Sequence, residues 1–284
     1  MRPERICIGF DLTASLAAVR RGQLGDLRVV TFLMATLMAA SVASAQNFLV
    51  NGAPIAGSSI RRTVDGLTAQ DITSRMIEND RVRREHLQSY SALRRYEIVN
   101  ANGQVSAEAL VRVDYHSPGR KTFEKISEDG SWMVRKWVFD RLLQSEEATS
   151  YGQEWREAAI SEENYIFAVV GEADLAGNHC YVVEAQPKRA DKYLFRGELW
   201  IDARDFGIVK ISGRPASKMS LWINQVEFVR EYQKVDGFWL PYRDETVVNM
   251  KVHGTKVLRI EHQQYVVNSR NKVAVSESAF AQTR

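Results

Sequence analysis

The sequence predicts a mainly β (α+β) protein built on an antiparallel sheet of about ten strands, and three features predict it. The stretch Phe195 to Pro215, FRGELWIDARDFGIVKISGRP, holds two runs of β-favouring residues, Glu198 to Asp202 and Ile208 to Gly213, around a polar, glycine-bearing reversal. The pattern returns from Val226 to Leu240, where Asp236-Gly237 separates two strand-like runs. From Ser91 onward apolar residues recur at every second position with short connections, the way antiparallel barrels are assembled.

At the N-terminus, Arg28 precedes the apolar run Val29 to Ala40 and then Val42-Ala43-Ser44-Ala45. A positive n-region, an apolar h-region and Ala43-x-Ala45 make residues 1–45 a secretory signal peptide cleaved after Ala45, and the run is short for a membrane span. A retained N-terminal anchor is the competing reading, and a true start nearer Leu27 accounts for the long leader. Cleavage removes Cys7 and leaves Cys180 alone, so no internal disulfide, CxxC pair or cysteine zinc site is expected. It also leaves 33 basic against 32 acidic residues. A near-neutral chain lacks the basic face that nucleic-acid binding calls for.

Residues 46–66 are small, polar and glycine-bearing, and read as a flexible lead-in to a domain over 67–268. Thr68, with Asp71 three residues on, opens a helix expected to run to Tyr90. Ile72, Met76, Ile77, Val82 and Leu87 form its apolar stripe, so it rests on an apolar surface, either packed permanently or as a mobile lid. Arg94 to Val99 and Val105 to Tyr115 form a hairpin around Asn100 to Gly103. A second runs from Lys121 to Ile126, turns at Asp129-Gly130 and returns through Ser131 to Val138.

Phe139 to Ile160 is poor in β-branched residues and reads as two helices divided near Thr149 to Gly152. Tyr165 to Val170 is ambiguous between strand and helix. His179 to Ala185 is a strand ended by Pro187, and Met219 to Asn224, Val226 to Val235, Phe238 to Met250 and Lys256 to Tyr265 follow as strands. Ser269 to Arg284 is a polar tail.

No catalytic centre is legible. His86, His116, His179, His253 and His262 show no HxxxH or HxH spacing and read as surface or edge residues. There is no GxSxG elbow, P-loop or dinucleotide fingerprint, and no cofactor is expected. Glu198, Asp202 and Asp205 sit where aspartate commonly serves turn formation. What stands out is large apolar area: Trp132, Trp137, Leu199, Trp200, Trp222, Phe228, Phe238 and Trp239 fall on several strands. Alternation gives Leu199, Ile201, Val209 and Ile211 one face, with Phe228 and Phe238 expected to join them unless a bulge reverses their direction. That face suits either an ordinary barrel core or a ligand cavity.

The GELWID strand, its short turn, the IVKI strand and the later VDGFWLP segment together resemble the LolA/LolB superfamily of outer-membrane lipoprotein-sorting proteins, over about Leu67 to Tyr265. The resemblance implies an unclosed antiparallel β-barrel, or half-barrel, with helices covering its apolar mouth. It implies a non-enzymatic periplasmic carrier or chaperone for lipid or lipoprotein acyl chains, a monomer working between an inner-membrane release complex and an outer-membrane acceptor. On that reading Leu199, Ile201, Val209, Ile211, Phe228 and Phe238 line the cavity, and Ile72, Met76 and Ile77 belong to its lid. The residue directly after Ala45 is Gln46 and not a cysteine, so the likeness is to the soluble carrier LolA rather than the lipid-anchored LolB. A lipid-sensing regulatory module like MucB/RseB and an exported enzyme of unknown type are the alternatives.

Overall fold

The computed structural model describes residues 66–130 and 157–268, apart from 192, 219, 220 and 253, together with residues 139, 140, 142, 143 and 146. The expected leader, Trp132, Trp137, most of the expected helices over 139–160 and the tail lie outside the described residues.

The capping pair read from the sequence forms. Thr68 Oγ1 accepts from the Asp71 N–H at 3.1 Å, and the Thr68 N–H donates to Asp71 Oδ2 at 2.9 Å. Helix α1, Ala69–His86, starts there, with Arg83, Arg84 and His86 in its last turn where cations complement the helix dipole. It ends four residues before Tyr90, because the β-forming pair Ser89-Tyr90 already hydrogen-bonds across to His116 and Tyr115. The buried face carries Ile72, Thr73, Met76 and Asp80, at i, i+4 and i+8 spacing; Ile77 flanks it. Val82, expected in the stripe, is 39% exposed.

Ten antiparallel strands follow: β1 Ser89–Asn100, β2 Val105–His116, β3 Arg120–Gly130, β4 Tyr165–Leu175, β5 Asn178–Pro187, β6 Phe195–Asp202, β7 Ile208–Pro215, β8 Ile223–Val235, β9 Phe238–Met250 and β10 Gly254–Val267. They form one sheet in the order β3-β2-β1-β10-β9-β8-β7-β6-β5-β4. The sheet is not closed into a barrel: β3 and β4 stand at opposite ends. The first hairpin swings β1 against the last strand, so β1 pairs β10 from Tyr90↔Val267 to Asn100↔Lys256.

Three expectations are corrected. Asp129-Gly130 is not a turn but the end of β3, paired with Glu108 and Ala107. The ambiguous stretch after Tyr165 is strand β4, which continues through a bulge to Leu175. Met219 to Asn224 is no separate strand; only Ile223 and Asn224 begin β8. The Asp236-Gly237 reading holds: both residues have positive φ, 48° and 85°, the two-residue turn whose twist matches a hairpin.

Candidate functional site: the covered face of the sheet

Directly paired residues on neighbouring strands share a face, so one continuous surface can be traced from β5 to β2. At one end of it Tyr181, Val183, Leu199, Ile201, Ile211 and Phe228 form an apolar cluster closed from above by Ile72 and Met76 of α1. At the other, Tyr96, Ala107, Ala109, Val111, Val113 and Ile260 are closed by Phe139, Leu142 and Leu143. The spacing 139, 142, 143 is that of one helix face, and residue 146, one turn on, also turns inward.

Of the residues expected to line a cavity, the structure brings Leu199, Ile201, Ile211 and Phe228 together with Ile72, Met76 and Ile77. Val209 is not among them. The register shifts between Trp200 and Ile201, so that Ile201 pairs Ile208 and Val209 is the extra residue of a bulge. Ile208 takes the place expected for Val209 on the covered face, and Val209 packs with Trp200, Cys180 and Val182 on the other. Phe238 also departs: it packs with Val235, Leu240, Tyr90 and Leu87 in a separate cluster. The aromatic surplus is likewise divided. Trp200 and Trp239 belong to the opposite face and Trp222 is 57% exposed.

Glycines shape the apolar end. Gly197 and Gly213 face each other across β6 and β7, where a Cβ on Gly197 would meet Ser212 O at 1.9 Å. The room they leave lets Phe195 and Phe228 meet edge to face, ring centres 5.7 Å apart.

The sequence reading missed what crosses the rest of this face. Arg230 on β8 hydrogen-bonds Asp244 on β9. His262 on β10, read as a surface histidine, is only 3% exposed and donates from Nε2 to Asp244 Oδ2 at 2.9 Å. Arg94 on β1 lies directly across from His262, and its Nη1 donates to Glu146 Oε2 at 2.6 Å. Lys121 on β3 reaches the other oxygen of Glu146, also at 2.6 Å. Charge thus runs in a buried row from β8 to β3, and Glu146 ties the segment at residues 139–146 down onto the sheet.

Burial and pairing set the protonation of the row. Burial works against the Glu146 carboxylate, but Arg94 and Lys121 hold it well below the ordinary range. Asp244 is likewise opposed by burial, yet Arg230 and His262 bring it down to about 2. For His262 burial wins, helped by Arg94, and its pKa falls to about 4 despite Asp244. The imidazole is therefore neutral near pH 7, with its proton on Nε2. Arg94 Nε, His262 Nδ1 and Thr246 Oγ1 are buried with no hydrogen-bond partner.

The acidic group near the β6–β7 turn is structural. Asp202 Oδ1 accepts from the N–H groups of Arg204 and Asp205 at 2.8 and 3.2 Å, and Asp205 Oδ1 accepts from the Gly207 N–H at 2.9 Å. Among the described residues no three His, Cys, Asp or Glu side chains are grouped to hold a metal ion, and no helix is long and apolar enough to cross a membrane.

An open ten-stranded antiparallel sheet, one face covered by α1 and by the segment at residues 139–146, defines a half-barrel. A family model described only as an uncharacterized protein matches residues 156–273. Among solved structures the chain is similar to a DUF1329 family protein from Desulfovibrio piger, with 15% identity and a TM-score of 0.38 over 75% of this chain and 97% of that one. It is similar to a putative outer membrane lipoprotein-sorting protein domain from Vibrio parahaemolyticus, with 14% identity and a TM-score of 0.39 over 72% and 94%. A LolA superfamily protein from Nitrosomonas europaea follows, with 12% identity and a TM-score of 0.37 over 72% and 96%. No curated protein matches the sequence.

Proposed function

We propose that the chain is a non-enzymatic periplasmic carrier of lipid or lipoprotein acyl chains, released after Ala45 and active in outer-membrane lipoprotein sorting. The observation that carries this reading is the apolar end of the covered face. Leu199, Ile201, Ile208, Ile211 and Phe228 meet a single helix through Ile72 and Met76, with glycines rather than side chains at Gly197 and Gly213. An acyl chain is suited to such a surface, since each buried methylene gains about 0.8 kcal/mol and needs no matched hydrogen bond. A covering helix lies outside the strand ladder, so it can lift without breaking ladder hydrogen bonds where a strand cannot. The residues GELWID and VDGFWLP, on which the resemblance to lipoprotein-sorting proteins stands, lie on β6 and on the β8–β9 hairpin.

The test is paired: native mass spectrometry of protein purified from its periplasmic fraction, and titration with a fluorescent fatty acid. Co-purifying lipid and saturable probe binding are expected. Protein free of lipid that also ignores the probe overturns the carrier.

A further inference from the structure

We infer that Arg94 and His262 seat the head group of an anionic amphiphile, one that offers a charged oxygen to Arg94 and a hydroxyl to His262 while its chain lies along the apolar face. The inference rests on the carrier reading, whose cargo it names. Arg94 and His262 are direct cross-strand partners, so their side chains leave the sheet about 5 Å apart.

Each has one committed atom and one idle one. Arg94 Nη1 is held by Glu146 and His262 Nε2 by Asp244, while Arg94 Nε and His262 Nδ1 are buried without partners. The first idle atom is a donor; the second, in an imidazole whose proton sits on Nε2, is an acceptor. A donor and an acceptor on directly paired residues are satisfied together by a head that carries both O⁻ and O–H, as the monoanion of a phosphate monoester does.

Glu146 supplies the second half of the argument. It is the carboxylate through which the segment at residues 139–146 holds Arg94 and Lys121. A chain that enters beneath that segment draws Glu146 away, and a buried guanidinium left without a counter-charge is strongly unfavourable. An anionic head takes the place of the lost carboxylate; a neutral head does not. The row therefore discriminates by charge among amphiphiles of equal chain length.

The probes are dodecyl phosphate and dodecanol, titrated calorimetrically at pH 6 into the mature protein. Dodecyl phosphate is expected to bind at least about tenfold more tightly, the worth of one charge-assisted hydrogen bond. In Glu146→Gln the preference widens by about a further tenfold, since the Glu146 charge no longer competes for Arg94. In Arg94→Gln it narrows to within about threefold. If Arg94→Gln does not fold, Glu146→Gln decides, because a merely structural change weakens both probes together. Equal binding of the two probes in native protein and Glu146→Gln overturns the head-group seat and leaves the carrier standing. Binding of neither overturns both. Competition by inorganic phosphate alone as strong as that by dodecyl phosphate would assign the seat to a free anion and also overturn it.

Discussion

The Trp239 ring occupies the space that a side chain on Gly207 would need: a Cβ there would come within 2.0 Å of Trp239 Cδ1. The indole Nε1 meanwhile donates to the Asp205 carboxylate at 3.1 Å. Gly207 closes the turn of the β6–β7 hairpin and Trp239 is the second residue of β9, so two segments that look independent in sequence are one packing unit. Gly207→Ala should displace the indole and break its bond to Asp205. The expected loss is about 2 to 3 kcal/mol, read as a lowered urea midpoint with an unchanged m value.

His262 makes stability depend on pH. Its folded pKa of about 4 lies below the ordinary 6.5, so the unfolded chain binds the extra proton first on acidification. The contribution is complete above pH 6.5 and disappears as pH falls towards 4, on the order of 3 kcal/mol in all. The depressed carboxylates Glu146 and Asp244 act only below their own ordinary values of 4.5 and 3.8, but Glu198, raised by burial, and His179, raised by Asp174, also bear on the window from 6.5 to 4.5, so the His262 share is the part of the slope that its replacement removes. Urea midpoints across that window should fall less steeply on acidification in His262→Gln than in the native protein.

The Arg94–Glu146 pair should behave as a coupled unit. Arg94→Met alone removes the buried guanidinium that Glu146 faces and is expected to cost about 3 to 5 kcal/mol. Arg94→Met with Glu146→Leu should recover most of that loss, and a double-mutant cycle measured by urea unfolding gives the coupling.

The bulge in β7 puts two adjacent residues on opposite faces of the sheet. Ile208→Ala should weaken fatty-acid probe binding, whereas Val209→Ala should lower the urea midpoint by about 1 to 3 kcal/mol and leave the probe affinity unchanged. Equal effects on the probe would put both residues on one face.

A lid at α1 should show in Ile77→Asp, at the flank of the helix. Probe affinity is expected to fall by about tenfold or more while the midpoint moves by less than about 1 kcal/mol. Parallel losses would make the helix a fixed part of the core.

The helix cap, the hairpins around Asn100 to Gly103 and Asp236-Gly237 and the approximate number of strands were legible because each depends on local chemistry: a capping box, positive φ, alternation. The facing of Val209 was not, because alternation holds only until a bulge adds a residue, and the bulge is fixed by pairing with β6. The buried row was overlooked although it left a signal. Arg94 is in phase with Tyr96 and Ile98, and Arg230 with Phe228, so charges stood at inward positions of strands. Glu146, the carboxylate that Arg94 shares with Lys121, is 52 residues from the first and 25 from the second in the chain. No spacing rule connects them; only the swing of β1 onto β10 and the descent of the 139–146 segment do.

An open sheet escapes the condition that fixes the girth of a barrel. In a closed one, strand number, shear and tilt must agree, and the radius follows from them. With β3 and β4 at separate margins, the sheet can flatten or coil by small changes of twist between neighbouring strands while every ladder bond is kept. The width available beneath α1 and residues 139–146 is thereby governed by the two covers and the ion pairs that fasten one of them, and not by strand number.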